Sequence, residues 1–161
     1  MEKRSRAPEQ TRRAIIDAAI AEFADKGLSG ARVDEIAART ATTKRMIYYY
    51  FGGKEQLYAT VLEELYGGIR DAERALDLDR LAPMAALKRL VETTFDYHAA
   101  HPEFVRLVAV ENIHSARHLA LLPSIIARNA SVLAGLQSLL DRGVAEGVFR
   151  PGIAALDLHM L

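Results

Sequence analysis

Apolar positions recur along most of this chain at intervals of three and four residues, the spacing that places side chains on one face of an α-helix. Ile15, Ile16, Ala19, Ile20 and Phe23 form such a stripe in a helix predicted to run from Pro8 to about Lys26, with Gly27 as its C-cap. The basic stretch before it, Met1 to Ala7 with Lys3, Arg4 and Arg6, reads as an unstructured arm. Short helices are predicted at Val33 to Thr40 and Lys44 to Phe51, with Ala41 to Thr43 as the turn between them. In the first, Ile36 and Ala37 face inward. In the second, Ile47 and Phe51 share one face and Lys44, Arg45 and Tyr48 the opposite one. Thr43 stands where its hydroxyl can cap the second helix. A fourth helix starts at Lys54 with the stripe Leu57, Tyr58, Val61, Leu62, Leu65 and Ile69. Gly67 and Gly68 fall inside it and predict a kink, an early end or a hinge.

Pro83 opens a helix to about Ala100, which His101-Pro102 breaks. The next carries Phe104 to about Ser115. Pro123 opens another that ends at Gly147, with Leu133, Leu136, Leu139, Leu140 and Val144 as its stripe. A last helix starts at Ile153. With no strand alternation and no internal repeat, the expected fold is all-α.

The stretch Val33 to Lys54 carries the functional signal. A short helix with apolar residues inside and two cations plus a phenol outside suits a DNA major groove, and the pair of helices reads as a helix-turn-helix with Lys44 to Tyr50 as recognition helix. Three segments, TRRAIIDAAIAEFADKG (Thr11 to Gly27), VDEIA (Val33 to Ala37) and TKRMIYYYFGGKEQL (Thr43 to Leu57), resemble in order and spacing the DNA-binding domain of the TetR/AcrR family of bacterial transcriptional regulators. The resemblance implies an N-terminal three-helix helix-turn-helix domain over 1–54 and a helical effector-binding and dimerisation domain over 55–161. It implies that Lys44, Arg45 and Tyr48 face bases, that Tyr49 meets a phosphate, and that Thr43 and Lys54, at helix N-termini, favour phosphate. Arg32 completes the expected DNA-binding set. Three positions depart from the family pattern. Arg32 replaces a usual Ser or Thr cap, Gly53 a usual Ser or Asn cap, and Ala41 a usual glycine, where a positive φ would strain an alanine.

Composition sharpens this picture. Half of the 161 residues are hydrophobic, enough for a sizeable core. Net charge is zero, but residues 1–54 hold 11 Lys and Arg against 7 Asp and Glu, and residues 55–161 hold 10 against 14. A basic head on an acidic body suits one nucleic-acid end and one other end. The absence of cysteine excludes disulfides, thiolate metal sites and a cysteine nucleophile, and fits a cytoplasmic protein. No signal-peptide pattern and no apolar run of membrane-spanning length occur.

The body offers less definite chemistry. Leu87, Val91, Thr94 and His98 share one predicted helical face, and Phe104, Leu107, Val108 and Glu111 another. A carboxylate on an apolar stripe needs a partner such as His98, or a cavity to line. His98, Glu111, Asn112, His114 and Phe104 are therefore the expected effector-binding residues, with Asn129 a weaker candidate. Glu111, His114 and His118 would share a face of a continuous helix, which leaves open a metal site, though no cofactor is expected. There is no glycine-rich phosphate loop and no nucleophile with a placed base, so an enzyme is not expected.

The expected function is a ligand-responsive, dimeric regulator, a repressor of the genes whose operator DNA it binds. The alternative is a small-molecule or metal-binding helical protein whose helix-turn-helix is structural only. The resemblance also implies dimerisation through a final helix pair. Here Ile153 to Leu161, with Leu156, Met160 and Leu161 awaiting partners, reads as the front of a truncated helix.

Overall fold

The computed structural model describes residues 3–159, with the backbone alone for 3–7. Its helices are α1 (Lys3–Gly30), α2 (Val33–Arg39), α3 (Lys44–Phe51), α4 (Lys54–Arg74), α5 (Pro83–Ala100), α6 (Pro102–Ile113), α7 (Pro123–Ala145) and α8 (Ala155–His159). Short 3-10 turns stand at Leu78–Arg80 and Leu119–Leu121. The described residues contain no strand. The expected arm is helical in its backbone from Lys3, because lysine, arginine and alanine extend an existing helix without a new nucleation step. Met1, Glu2 and the side chains of Lys3, Arg4 and Arg6 lie outside the described residues, as do Met160 and Leu161.

The chain forms two compact units. One holds residues up to Leu65 together with His101–Leu122, and the other holds Tyr66–Ala100 and Pro123 onward. The expected sequential division at residue 54 is therefore not where the packing divides. Leu57, Tyr58, Val61 and Leu62 of α4 are buried with the head, and α6 packs against α1 in the same unit.

The core of the first unit is built from Ile15, Ile16, Ala19 and Phe23 of α1, Ile36 of α2, Ile47 of α3, the four α4 residues, and Phe104 and Leu107 of α6. Each large side chain buried there contributes about 1.5–3 kcal/mol. Phe23 meets Tyr58 edge to face at 4.9 Å. Gly27, at φ 62° and ψ 179°, breaks α1 before its last turn, a conformation that suits glycine. Among the apolar side chains of α1 sits a buried carboxylate, Glu22. Its Oε1 accepts from Lys26 Nζ at 2.8 Å and from the Arg32 amide at 3.2 Å, and Arg39 Nη2 of α2 lies 3.0 Å from Oε2. Burial pushes this carboxyl up, but the Lys26 and Arg32 hydrogen bonds and the charges of Lys26 and Arg39 outweigh it and hold it below its ordinary range.

In the second unit Ala86, Leu136, Leu139, Leu140 and Ala155 form the centre, with Leu78, Leu87, Leu90, Leu133, Phe149, Ile153 and Leu158 packed around them. Arg142 donates to the carbonyls of Leu78, Asp79 and Leu81 at 3.0–3.1 Å and so closes the turn before α5. The expected inward face of α5 is only partly buried. Ala86 carries the packing, while Val91 and His98 are exposed. Gly67 and Gly68 do not end α4. They lie within it, and Gly68 leaves room for the Tyr97 hydroxyl, which a β-carbon there would strike.

Glu22→Gln should lower stability by about 1–3 kcal/mol in a thermal or denaturant melt, because it weakens hydrogen bonds to a buried charge. A carboxyl held down in the fold contributes stability that is complete above its unfolded pKa, about 4.3, and fades as pH falls through the lower folded value. The wild-type chain should therefore lose stability on acidification below that range, and the Gln variant should lose less. In the turn, Ala41 has φ 50°, where alanine is strained. Ala41→Gly should raise stability by about 1 kcal/mol, read from the shift in a urea midpoint.

Candidate functional site

The turn between α2 and α3 is set by short-range bonds. Thr40 Oγ1 donates to the Ile36 carbonyl at 3.0 Å, and the Thr42 amide donates to the Ala37 carbonyl at 3.3 Å. Ala41 takes the left-handed conformation that reverses the chain. Thr43 then caps α3, its Oγ1 accepting from the Met46 amide at 3.2 Å. Its hydroxyl proton stays available to a phosphate. Ile47 is fully buried and Phe51 nearly so, with the Arg12 guanidinium 5.4 Å over the Phe51 ring. These anchors turn the other side of α3 outward. Lys44, Arg45, Tyr48 and Tyr49 form one exposed stripe, with Tyr49 78% exposed.

The surrounding groups differ in how available they are. Arg45 makes no hydrogen bond or ion pair among the described residues. Lys44 Nζ lies 3.3 Å from Asp34 Oδ1 on α2, and Arg32 Nη2 lies 3.9 Å from Asp34 Oδ2. Arg32 is the N-cap of α2 and gives no side-chain cap, so the first turn relies on Asp34 and Glu35 for favourable charge. Lys54 is drawn inward, its ammonium donating to the Ala31 carbonyl at 3.1 Å. It ties α4 to the start of the helix-turn-helix, a role its sequence position did not signal. Asp34 also went unmarked in the sequence, because a pairing across ten residues depends on the angle of the turn.

The expected effector residues fall in both units. Phe104 is buried in the core of the first unit, Asn112 is exposed, and His98 is an exposed residue of the second unit. Glu111 is fully buried, and its partners among the described residues are Tyr58 and His118. The Tyr58 hydroxyl donates to Oε1 at 2.7 Å, His118 Nδ1 lies 2.8 Å from the same oxygen, and the His118 amide donates to Oε2 at 3.3 Å. Asn129, in the second unit, keeps a buried Oδ1 that accepts no hydrogen bond among the described residues.

His118 reaches Glu111 by a reversal of the chain, not along a helix. α6 ends at Ile113, and Ser115 and Ala116 take positive φ values of 58° and 52°. The continuous helix needed to align Glu111, His114 and His118 is therefore absent. Among the described residues no group of three His, Cys, Asp or Glu side chains is placed to hold a metal ion. Glu111, His114 and His118 instead line a cleft of about 270 Å³ with Tyr58, Arg117 and the end of α1.

Comparison with known proteins bears on the family and the fold. Residues 15–61 match the family described as bacterial regulatory proteins, tetR family, and residues 83–161 match the tetracyclin repressor-like C-terminal domain. The chain is 35% identical to the HTH-type transcriptional repressor NicS of Pseudomonas putida, over 98% of this chain and 74% of that protein. It is 36% identical to the HTH-type transcriptional repressor SCO4008 of Streptomyces coelicolor, over 98% of this chain and 77% of that protein. Its fold is similar to the crystal structure of the transcriptional regulator SCO4942 from Streptomyces coelicolor, with a TM-score of 0.70 and 33% identity over 93% of this chain and 74% of that one.

The buried Glu111 network is open to a direct check. Tyr58→Phe keeps the ring and removes one of the hydroxyl and imidazole partners of the carboxylate. It should cost about 1–3 kcal/mol in a thermal melt. A melting temperature equal to wild type would show that the hydroxyl bond adds nothing to the fold.

Proposed function

The chain belongs to the tetR family of bacterial regulatory proteins, a family of DNA-binding transcriptional regulators, and on that footing we propose that it is a ligand-responsive repressor that reads its operator with α3. The observation that carries this reading is the division of α3 into a buried face, Ile47 and Phe51, and an exposed stripe of Lys44, Arg45, Tyr48 and Tyr49. Arg45 is the base reader, since a guanidinium matches the paired acceptors of guanine. Tyr48 adds an edge contact. Tyr49, Thr43 and Arg32 position the helix against phosphates, and Lys44 works beside Arg45. One helix-turn-helix reads a half-site, so two copies of the chain would engage one operator. Among the described residues no helix is long and apolar enough to cross a membrane, and the working compartment of such a repressor is the cytoplasm.

Effector response is assigned to the cleft around Glu111 and His114. There, buried polar groups meet open volume, and Tyr58 of α4 forms part of the wall. A small polar molecule that competed for Tyr58 or His118 would disturb the bond between α4 and α6 within this unit. Coupling of that kind between two sites is what a ligand-controlled repressor requires.

The interface is tested with a duplex selected from a random pool by the wild-type protein and a scrambled duplex of the same composition. Arg45→Ala should cost about 1–3 kcal/mol on the selected duplex, in a fluorescence anisotropy titration, and little on the scrambled one. Wild-type affinity of Arg45→Ala for the selected duplex would remove α3 as the reading element.

A further inference from the structure

On the outward side of the helix-turn-helix, one carboxylate stands among the cations. Asp34, in the first turn of α2, holds Lys44 Nζ at 3.3 Å from Oδ1 and 3.4 Å from Oδ2, with Arg32 Nη2 3.9 Å away. All three side chains are at least half exposed, between 52% and 70%. An ion pair so exposed adds little to fold stability. The favourable charge at the start of α2 is also supplied by Glu35. Fold stability therefore gains only a little from a carboxylate at this place.

We infer that Asp34 is a specificity-determining residue of the DNA interface: it opposes the sequence-blind attraction of Lys44 and Arg32 to phosphate while holding Lys44 in position beside Arg45. The inference rests on the reading of α3 as the DNA face. Its physical basis is the origin of non-specific affinity, which rises with each cation that neutralises a phosphate and releases a counterion. A cation already paired with Asp34 releases less. A phosphate brought to Lys44 on an arbitrary sequence must also approach the Asp34 carboxylate, which repels it. On the operator, Lys44 is used at the groove, where base edges carry no net charge and the carboxylate is tolerated. Asp34 thus lowers binding to wrong sequences more than binding to the right one, which is how a repulsive element creates specificity.

The test replaces Asp34 with its neutral isostere and uses the same selected and scrambled duplexes. For Asp34→Asn, affinity for the scrambled duplex should rise about tenfold, and its log-log salt dependence should steepen by about 0.9, the value of one further phosphate contact. Affinity for the selected duplex should change less than about threefold, so that the ratio of the two falls. In a Lys44→Ala background the same Asp34→Asn change should have less than about half its effect on the scrambled duplex, because the pair is then already broken. An equal rise on both duplexes would overturn the inference, since Asp34 would then contribute only overall charge. A fall on the selected duplex with no change on the scrambled one would also overturn it, by making Asp34 a base contact. If Lys44→Ala alone binds both duplexes as wild type does, the reading of α3 fails and takes the inference with it. If Lys44→Ala weakens binding but Asp34→Asn leaves the ratio unchanged, only the inference fails.

Discussion

The geometry of the head depends on a carboxylate that has no access to water. Glu22 is fully buried in α1, and an ionised carboxylate in that position is costly unless it is paired. Its partners come from three places: Lys26 one turn along α1, the amide of Arg32 at the entry to α2, and Arg39 at the exit of α2. The two ends of α2 are thereby referred to one point on α1. Since α3 follows α2 through a turn of a few residues, its presentation is referred to that point as well. The apolar contacts of Ile36 and Ile47 supply the larger share of the stabilisation, but they are not directional. The ionic clamp is directional, and it limits how α2 can rotate on α1.

A second buried carboxylate, Glu111, lies in the same unit and is satisfied differently. Its donors are a phenol, an imidazole and an amide, none of which is obliged to carry charge. Glu22 is closed off by its cations. Glu111 borders a cleft, so its bonds stand where a small molecule can compete for them. The difference between the two sites is therefore one of access. One ties α2 to α1, and the other lies at the edge of open volume.

On the outer surface the balance of charge is finer than the overall count. Lys54 is turned inward to a carbonyl, and Lys44 shares Asp34 with Arg32, which leaves Arg45 as the cation of α3 without a partner among the described residues. Phosphate attraction is thus moderated, and the group best suited to guanine is left available. This division of labour fits a protein that must find one site among many similar ones.

Much of the fold was legible from spacing alone. The stripes of α1, α4 and α7, the turn at Ala41 to Thr43, the Thr43 cap and the inward Ile47 and Phe51 are all consequences of helical periodicity and local hydrogen bonding, which neighbouring residues determine between themselves. The strain at Ala41 was legible for the same reason, since a left-handed turn position asks for glycine whatever surrounds it. Partner choice was not legible. Nothing in α1 marks Glu22 for burial, and nothing in α6 directs Glu111 to Tyr58 and His118. The α5 stripe that carries His98 has the periodicity of an inward face, yet much of it remains exposed. Periodicity states which residues share a face but not what that face meets. The angle and separation of helices distant in sequence decide that, so the helices and the helix-turn-helix could be derived from the sequence, while the pairings of Glu22, Asp34, Lys54 and Glu111 were decided only in three dimensions.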